Sequence, residues 1–245
     1  MTDLDKRLNR DVVVISNHLT QNLVFDATTY EKDAACALII EPEIITEALR
    51  QDYQTGAAAI IVNPIQFHAS SLRLTSHLAD AEILAKNTCK TYECFKIAHP
   101  LISVKQTDLP LDCSSKNSLL EVSNDYKFIA HLFDNLPIDG FYLESFTDFA
   151  HLKCALVGLR KATSKTILVD TSALTLTDDF TEYDYSPCST NVKTLDFSKI
   201  QNTDALLAEG EKSVANGYQF LTVKSGKPAQ TAGLVALLQG IPLTS

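Results

Sequence analysis

Three histidines, a strand-terminal glutamate and a short lysine-bearing turn are the residues whose types and spacing could do chemistry. His18, His68 and His99 each follow an apolar, β-branched run, so all three are expected at one face, where strands hand over to loops. Imidazoles converging there would suit zinc or acid–base work near neutral pH; each also reads as an ordinary loop residue. Glu144 ends the run DGFYLES. A carboxylate there accepts a ligand's ammonium group or pairs with a neighbouring lysine. Asn63 precedes Pro64 and is held extended; its amide reaches a ligand or caps the strand end. Lys224, Ser225, Gly226 and Lys227 join a β-branched run to a helical pattern. Backbone N–H groups at that helix start, with two ammonium groups, suit an anion. It is not a Walker loop, because the first glycine is absent and Pro228 replaces Ser or Thr. Cys89 and Cys94 are spaced too widely for a zinc pair, and the chain has no second pair. Cys36 and Cys154 lie among Ala and Leu, as small core residues do.

The elements that must position these groups alternate between strand-like and helix-like patterns, which predicts parallel strands joined by helical crossovers. Strands are expected at 12–16, 57–63, 95–101, 139–145, 165–171 and 218–224. Helices are expected at 41–55, 70–90, 118–136, 148–162, 204–217 and 229–240. The first of these opens on Glu41-Pro42-Glu43 and ends at Gly56. Residues 172–202, rich in Thr, Asp, Ser and Tyr, read as mostly loop with one short strand near Val192 to Phe197. The strands are apolar on both faces, as in a sheet covered by helices. This predicts an α/β chain of the (β/α)8 TIM-type barrel class, one domain over 1–245, with one or two strands degenerate or missing in 172–202.

Composition narrows the function. A formal charge of −9 over 245 residues argues against nucleic acid, which needs clustered Lys and Arg. No apolar run reaches membrane-spanning length. The N-terminal MTDLDKRLNRD is polar, unlike a signal peptide, and six scattered cysteines read as reduced thiols. A cytoplasmic location is expected.

EPEIITEALRQDYQTGAAAIIVNPIQFHASSLRL resembles the second strand unit of homocysteine S-methyltransferases, and DGFYLESFTDFAHLKCALVGLR resembles that family's strand ending in Glu-Thr with its Ala/Leu-rich helix. The family includes the homocysteine-binding module of cobalamin-dependent methionine synthase and betaine-homocysteine methyltransferase. The resemblance implies a (β/α)8 barrel and a zinc held by three cysteines, one in Asn-Cys and two in Gly-Gly-Cys-Cys-Gly. Such a metal keeps homocysteine's thiol deprotonated for attack on a methyl donor. In this chain Thr222-Val223-Lys224-Ser225-Gly226 takes the place of the paired cysteines. Cys188 is the one candidate left for the upstream ligand, and Ser16 to Gln21 replaces the expected Asp-Gly-Ala-Met-Gly-Thr.

The expectation is a homocysteine S-methyltransferase-like protein that has lost the zinc–thiolate site and takes no metal or cofactor. It would act as a non-catalytic binding or partner protein for a small amino acid or thiol, with Asn63, Glu144, His18 and His99 contacting the ligand. A protein partner or homo-oligomer would complete a short barrel. The alternative is an active methyltransferase acting on homocysteine or a related thiol through an altered, zinc-independent site.

Overall fold

The computed structural model describes residues 4–174, 185–200 and 202–243. Eight strands run parallel: β1 Val13–Ser16, β2 Ala59–Ile61, β3 His99–Val104, β4 Gly140–Leu143, β5 Thr166–Val169, β6 Cys188–Ser189, β7 Val192–Asp196 and β8 Phe220–Lys224. Helices cover them: α1 Leu19–Asn22, α2 Tyr30–Ile40, α3 Pro42–Gln54, α4 Ala69–Leu74, α5 Ala81–Lys90, α6 Lys116–Phe133, α7 Phe149–Arg160, α8 Phe197–Ile200, α9 Thr203–Ala215 and α10 Pro228–Leu238. The strand order, β6-β5-β4-β3-β2-β1-β8-β7, is that of a TIM-type barrel with one seam, between β6 and β7, left without ladder hydrogen bonds. Among the described residues no helix is long and apolar enough to cross a membrane.

The seam has a simple origin. Only Thr190 and Asn191 separate β6 from β7, so no crossover helix intervenes. One pass of chain pairs first with β5, through Cys188 and Ser189, and then with β8, through Val192 to Asp196. Seven passes therefore enclose the interior. The strand expected near Val192 is present; the loop expected around it falls partly on residues 175–184 and 201, outside the described residues.

Val13, Ile15, Ala59, Ile61, Leu101, Tyr142, Leu168, Val192 and Phe220 fill the barrel from inside, and Leu4 packs against them from below. Burying a leucine is worth about 1.5–3 kcal/mol, which explains why a polar N-terminal segment folds back at all. The 3-10 turn Asp5–Arg7 holds it there: Thr166 Oγ1 donates to Asp5, and Gln219 Nε2 donates to the carbonyls of Arg7 and Asp11.

Three expectations are corrected. The helices α1 and α2 lie within residues 19–40, between the strand expected at 12–16 and the helix expected at 41–55, where the sequence predicts neither helix nor strand. The segment YEKDAACALII of α2 buries Ala34, Ala35, Ala37 and Leu38 and has no one-sided stripe, so periodicity gave no signal. The third strand begins at His99, not at 95: its first bond is the His99 N–H to the Ala58 carbonyl, and Pro100, which has no N–H to donate, lies second in the strand. His99 thus opens a strand instead of closing one.

Candidate functional site at the C-terminal mouth of the barrel

Alternation along a strand puts residues i and i+2 on one face. On all seven passes an apolar residue of the interior layer is followed two positions later by a polar one: Ile15 by Asn17, Ile61 by Asn63, Leu101 by Ser103, Tyr142 by Glu144, Leu168 by Asp170, Val192 by Thr194, and Phe220 by Thr222. All seven polar residues line a cavity of about 260 Å³ at the strands' C-terminal ends, where Lys105 and Lys224 join them. This is the end of a (β/α)8 barrel at which sites are built.

The carboxylates are held in place. Glu144 accepts from Ser103 Oγ at 2.6 Å and from Asn17 Nδ2 at 3.1 Å. Asp170 accepts from the Ser172 N–H at 2.9 Å and from Thr194 Oγ1 at 2.8 Å, a contact that reaches across to β7. The Tyr142 hydroxyl lies 3.4 Å from the same Thr194 oxygen. Burial, then the nearby Asp170 and Glu144 charges, keep that phenol protonated far above its ordinary range. Neither Lys105 nor Lys224 has an ion-pair partner within 4 Å among the described residues. Ser145 and Ser225, which directly follow Glu144 and Lys224, take φ of +62° and +59°.

The residues singled out in the sequence divide between this cavity and elsewhere. Asn63 lines it, but its amide donates to the carbonyls of Ile65 and Ser103 and accepts the Ser103 N–H, so it braces the ends of β2 and β3. Of the turn after β8, Lys224 lines the cavity; the Lys227 N–H is taken by Gln230 Oε1 at 2.8 Å. Gly226 is required for packing, since a Cβ there would meet Val223 Cγ1 at 2.6 Å. His18 is fully buried, with Nε2 2.8 Å from Thr231 Oγ1 of α10. His68 packs edge-on against Tyr126. The expectation of His99 at the site face is corrected: it opens β3 at the opposite end, 2.7 Å from Asp139 and 3.4 Å from Arg7. Asn17, Ser103, Tyr142, Asp170, Thr194 and Thr222 were missed. The signal for them was the i+2 step from the apolar layer.

Behind β1, Asp52 of α3 accepts from Ser16 Oγ at 2.5 Å and from the His18 N–H at 3.0 Å, while its second oxygen has no partner. Burial outweighs both bonds and pushes the carboxyl up to about 6. Between an ordinary carboxylate pKa near 4 and that value the native state binds more protons than the unfolded chain. Stability is therefore lost as pH rises through this window. Asp52→Asn mimics the protonated form, and should exceed the parent by about 2–3 kcal/mol above pH 6, converging with it toward pH 4. Buried His18, whose pKa is lowered, gives a slope of opposite sign that is common to both proteins and cancels in the difference. Urea unfolding of the two proteins from pH 4 to 8 checks this; a pH-independent difference contradicts it.

The cysteines lie away from the mouth. Cys36 is on α2, Cys89 on α5 and Cys154 on α7; Cys94 and Cys113 are exposed; Cys188, on β6, does not line the cavity. Among the described residues no three His, Cys, Asp or Glu side chains gather closely enough to hold a metal ion.

Similar solved structures include homocysteine methyltransferase MmuM from Escherichia coli. Its metallated form superposes with a TM-score of 0.66 at 14% identity, over 92% of this chain and 96% of that one. Its oxidized form gives 0.65 at 14% identity, over 96% and 98%. The fold is that of homocysteine methyltransferases. At this identity the likeness is one of architecture. No protein-family model matches the chain, and no similar sequence was found among curated proteins.

Proposed function

We propose that this homocysteine methyltransferase-like barrel binds a small free amino acid at its mouth, without a thiolate-held zinc and without methyl transfer. The observation that carries the reading is the pairing of opposite charges around one small cavity. Glu144 and Asp170 offer carboxylates to an ammonium group, and Lys105 and Lys224 offer ammonium groups to a carboxylate. A zwitterion satisfies both, whereas a simple cation or anion meets repulsion from one pair.

The donor set supports the metal-free part. Oxygen and ammonium groups line the cavity; the six thiols do not, and a lysine stands at the end of β8 where the family resemblance calls for a zinc ligand. An ammonium group repels a cation and donates no lone pair while protonated. Among the described residues lining the mouth no thiolate is present to hold zinc, the Lewis acid that in the family activates a bound thiol.

Calorimetry of the whole chain with homocysteine and methionine tests the reading, together with metal analysis and a methyl-transfer assay using several donors. Binding of at least one amino acid is expected. Glu144→Gln, which keeps shape and loses charge, should weaken it about tenfold or more. Stoichiometric zinc would overturn the metal-free part, and turnover that Glu144→Gln abolishes would establish the methyltransferase instead.

A further inference from the structure

A trough of about 440 Å³ lies on the outer wall of the barrel, between α6 and α7. Lys116, Leu119 and Leu120 on α6 stand at helical spacing, as do Lys153, Val157 and Lys161 on α7, so the trough runs along both helices. Its floor is apolar and open, with Leu120 41% exposed. Its rim carries the three lysines, and no carboxylate lines it. Among the described residues Lys116 and Lys161 have no ion-pair partner. The chain carries a matching surface elsewhere. On the outer face of α3, Glu43, Ile44 and Glu47 are exposed one turn apart, Ile44 at 42%, and Ile40 at the end of α2 is 73% exposed. Trough against trough would set lysines against lysines. The helices α2 and α5 stand between α3 and α6 on the wall, so trough and ridge face different directions.

We infer that copies of this chain associate head to tail, the α3 ridge of one copy lying in the α6–α7 trough of the next, with Glu43 and Glu47 meeting Lys116 and Lys161. Ile40 and Ile44 then cover Leu120 and are covered by it, so apolar surface leaves water on both sides. Opposite charges at the rim set the register and exclude the trough-to-trough pairing. Glu47 also meets Arg50 at 2.8 Å, but both are exposed, and such a pair contributes little enough to exchange. Because the two surfaces differ, association continues past the dimer unless it closes as a ring.

Sedimentation of the whole chain over about 1–200 µM tests this, because one helix in one trough is a small interface of about micromolar or weaker affinity. The mass should rise with concentration. Lys116→Glu with Lys161→Glu makes the trough acidic, and Glu43→Lys with Glu47→Lys makes the ridge basic. All four positions are exposed, and thermal melts of both double variants confirm folding. Each double variant alone should associate at least about tenfold more weakly, since like charges meet. An equimolar mixture of the two should associate again, because acidic trough meets basic ridge and the unaltered surfaces still fit. A mixture that stays monomeric, or a double variant that associates like the parent, overturns the inference. So does a parent that stays monomeric; the trough then belongs to a helix of another protein, which binding of a helical peptide with Leu and Glu at matching spacing would show.

Discussion

Gly158→Ala unfolds at a markedly lower urea concentration than the parent, by about 2 kcal/mol or more, although alanine is the better helix former. The helix-propensity gain is about 1 kcal/mol at most. Against it stands the crossing of α6 and α7: a Cβ at position 158 would lie 2.2 Å from the Ser123 carbonyl oxygen, 2.9 Å from Tyr126 Cβ and 3.1 Å from the Lys127 nitrogen. Two of these atoms are backbone, so no rotamer change relieves the contact and the helices must part. Overpacking of this kind costs about 1–3 kcal/mol and sometimes more. Tyr126 is completely buried and its hydroxyl accepts the Thr107 N–H at 2.9 Å, so separation also loosens the loop after β3. Gly233→Ala in α10 is the control. Its Cβ would meet only Leu207 Cδ2 at 3.4 Å, so that variant should match the parent or gain slightly. Equal melting of Gly158→Ala and the parent would remove the close helix crossing as the reason for this glycine.

Arg160→Ala has the second large effect, and it falls on the seam. The guanidinium donates to four carbonyls: Tyr185 at 2.6 Å, Thr163 at 3.2 Å, Lys165 at 2.6 Å and Pro187 at 2.5 Å. It ties the end of α7 to the chain entering β6, the shortest strand and the one beside the open edge. Hydrogen bonds to a charged donor contribute about 1.5–3 kcal/mol each, and these four share one side chain. The expected loss is about 2–4 kcal/mol, at the upper end of single-site effects. Burial lowers the Arg160 pKa, a sign that its desolvation offsets part of the gain. Arg160→Lys should recover little, because an ammonium group cannot fork to several planar acceptors. Limited proteolysis gives the specific readout. Cleavage between 185 and 191 should rise in Arg160→Ala more than its change in global stability predicts. Cleavage rising only in step with global unfolding would mean that Arg160 does not pin the seam. Because Asp170 is held from β7 by Thr194, ligand binding at the mouth should weaken in the same variant.

Much of the scaffold is legible in the sequence. Parallel strands covered on both faces need apolar runs, and β1, β2, β4 and β5 carry them, with β8 broken only by Thr222 before its terminal Lys224. The shortage of one strand unit is legible too, as the aperiodic stretch 172–202. What α2 would become is not, because a charged first turn followed by the all-apolar AACALII leaves no one-sided stripe to count. The start of β3 was misplaced because a proline reads as a strand end, whereas here it lies inside the strand.

The site was half visible for a different reason. Asn63 and Glu144 end obvious apolar runs, so their types and places suffice to raise them. Asp170, Thr194 and Thr222 are equally polar and equally near strand ends, but polar residues are common there. Which of them faces the cavity depends on barrel parity and on a chain pass split between two neighbours. His18 and His99 illustrate the converse: both have the right chemistry and follow or flank strands, yet one is sealed against α10 and the other lies at the far end.

The sequence by itself determined most of the strands and helices, the acidic balance, the absence of cysteine from β8 onward and the candidacy of Glu144. These follow from side-chain type and local periodicity, which a linear chain displays. Only the tertiary structure decided that seven passes enclose the interior, that seven inward polar residues meet over one cavity, that Asn63 is spent on bracing, and that Thr222 has no partner. Those facts depend on which groups approach one another across the barrel, where distance in sequence is no guide to distance in space.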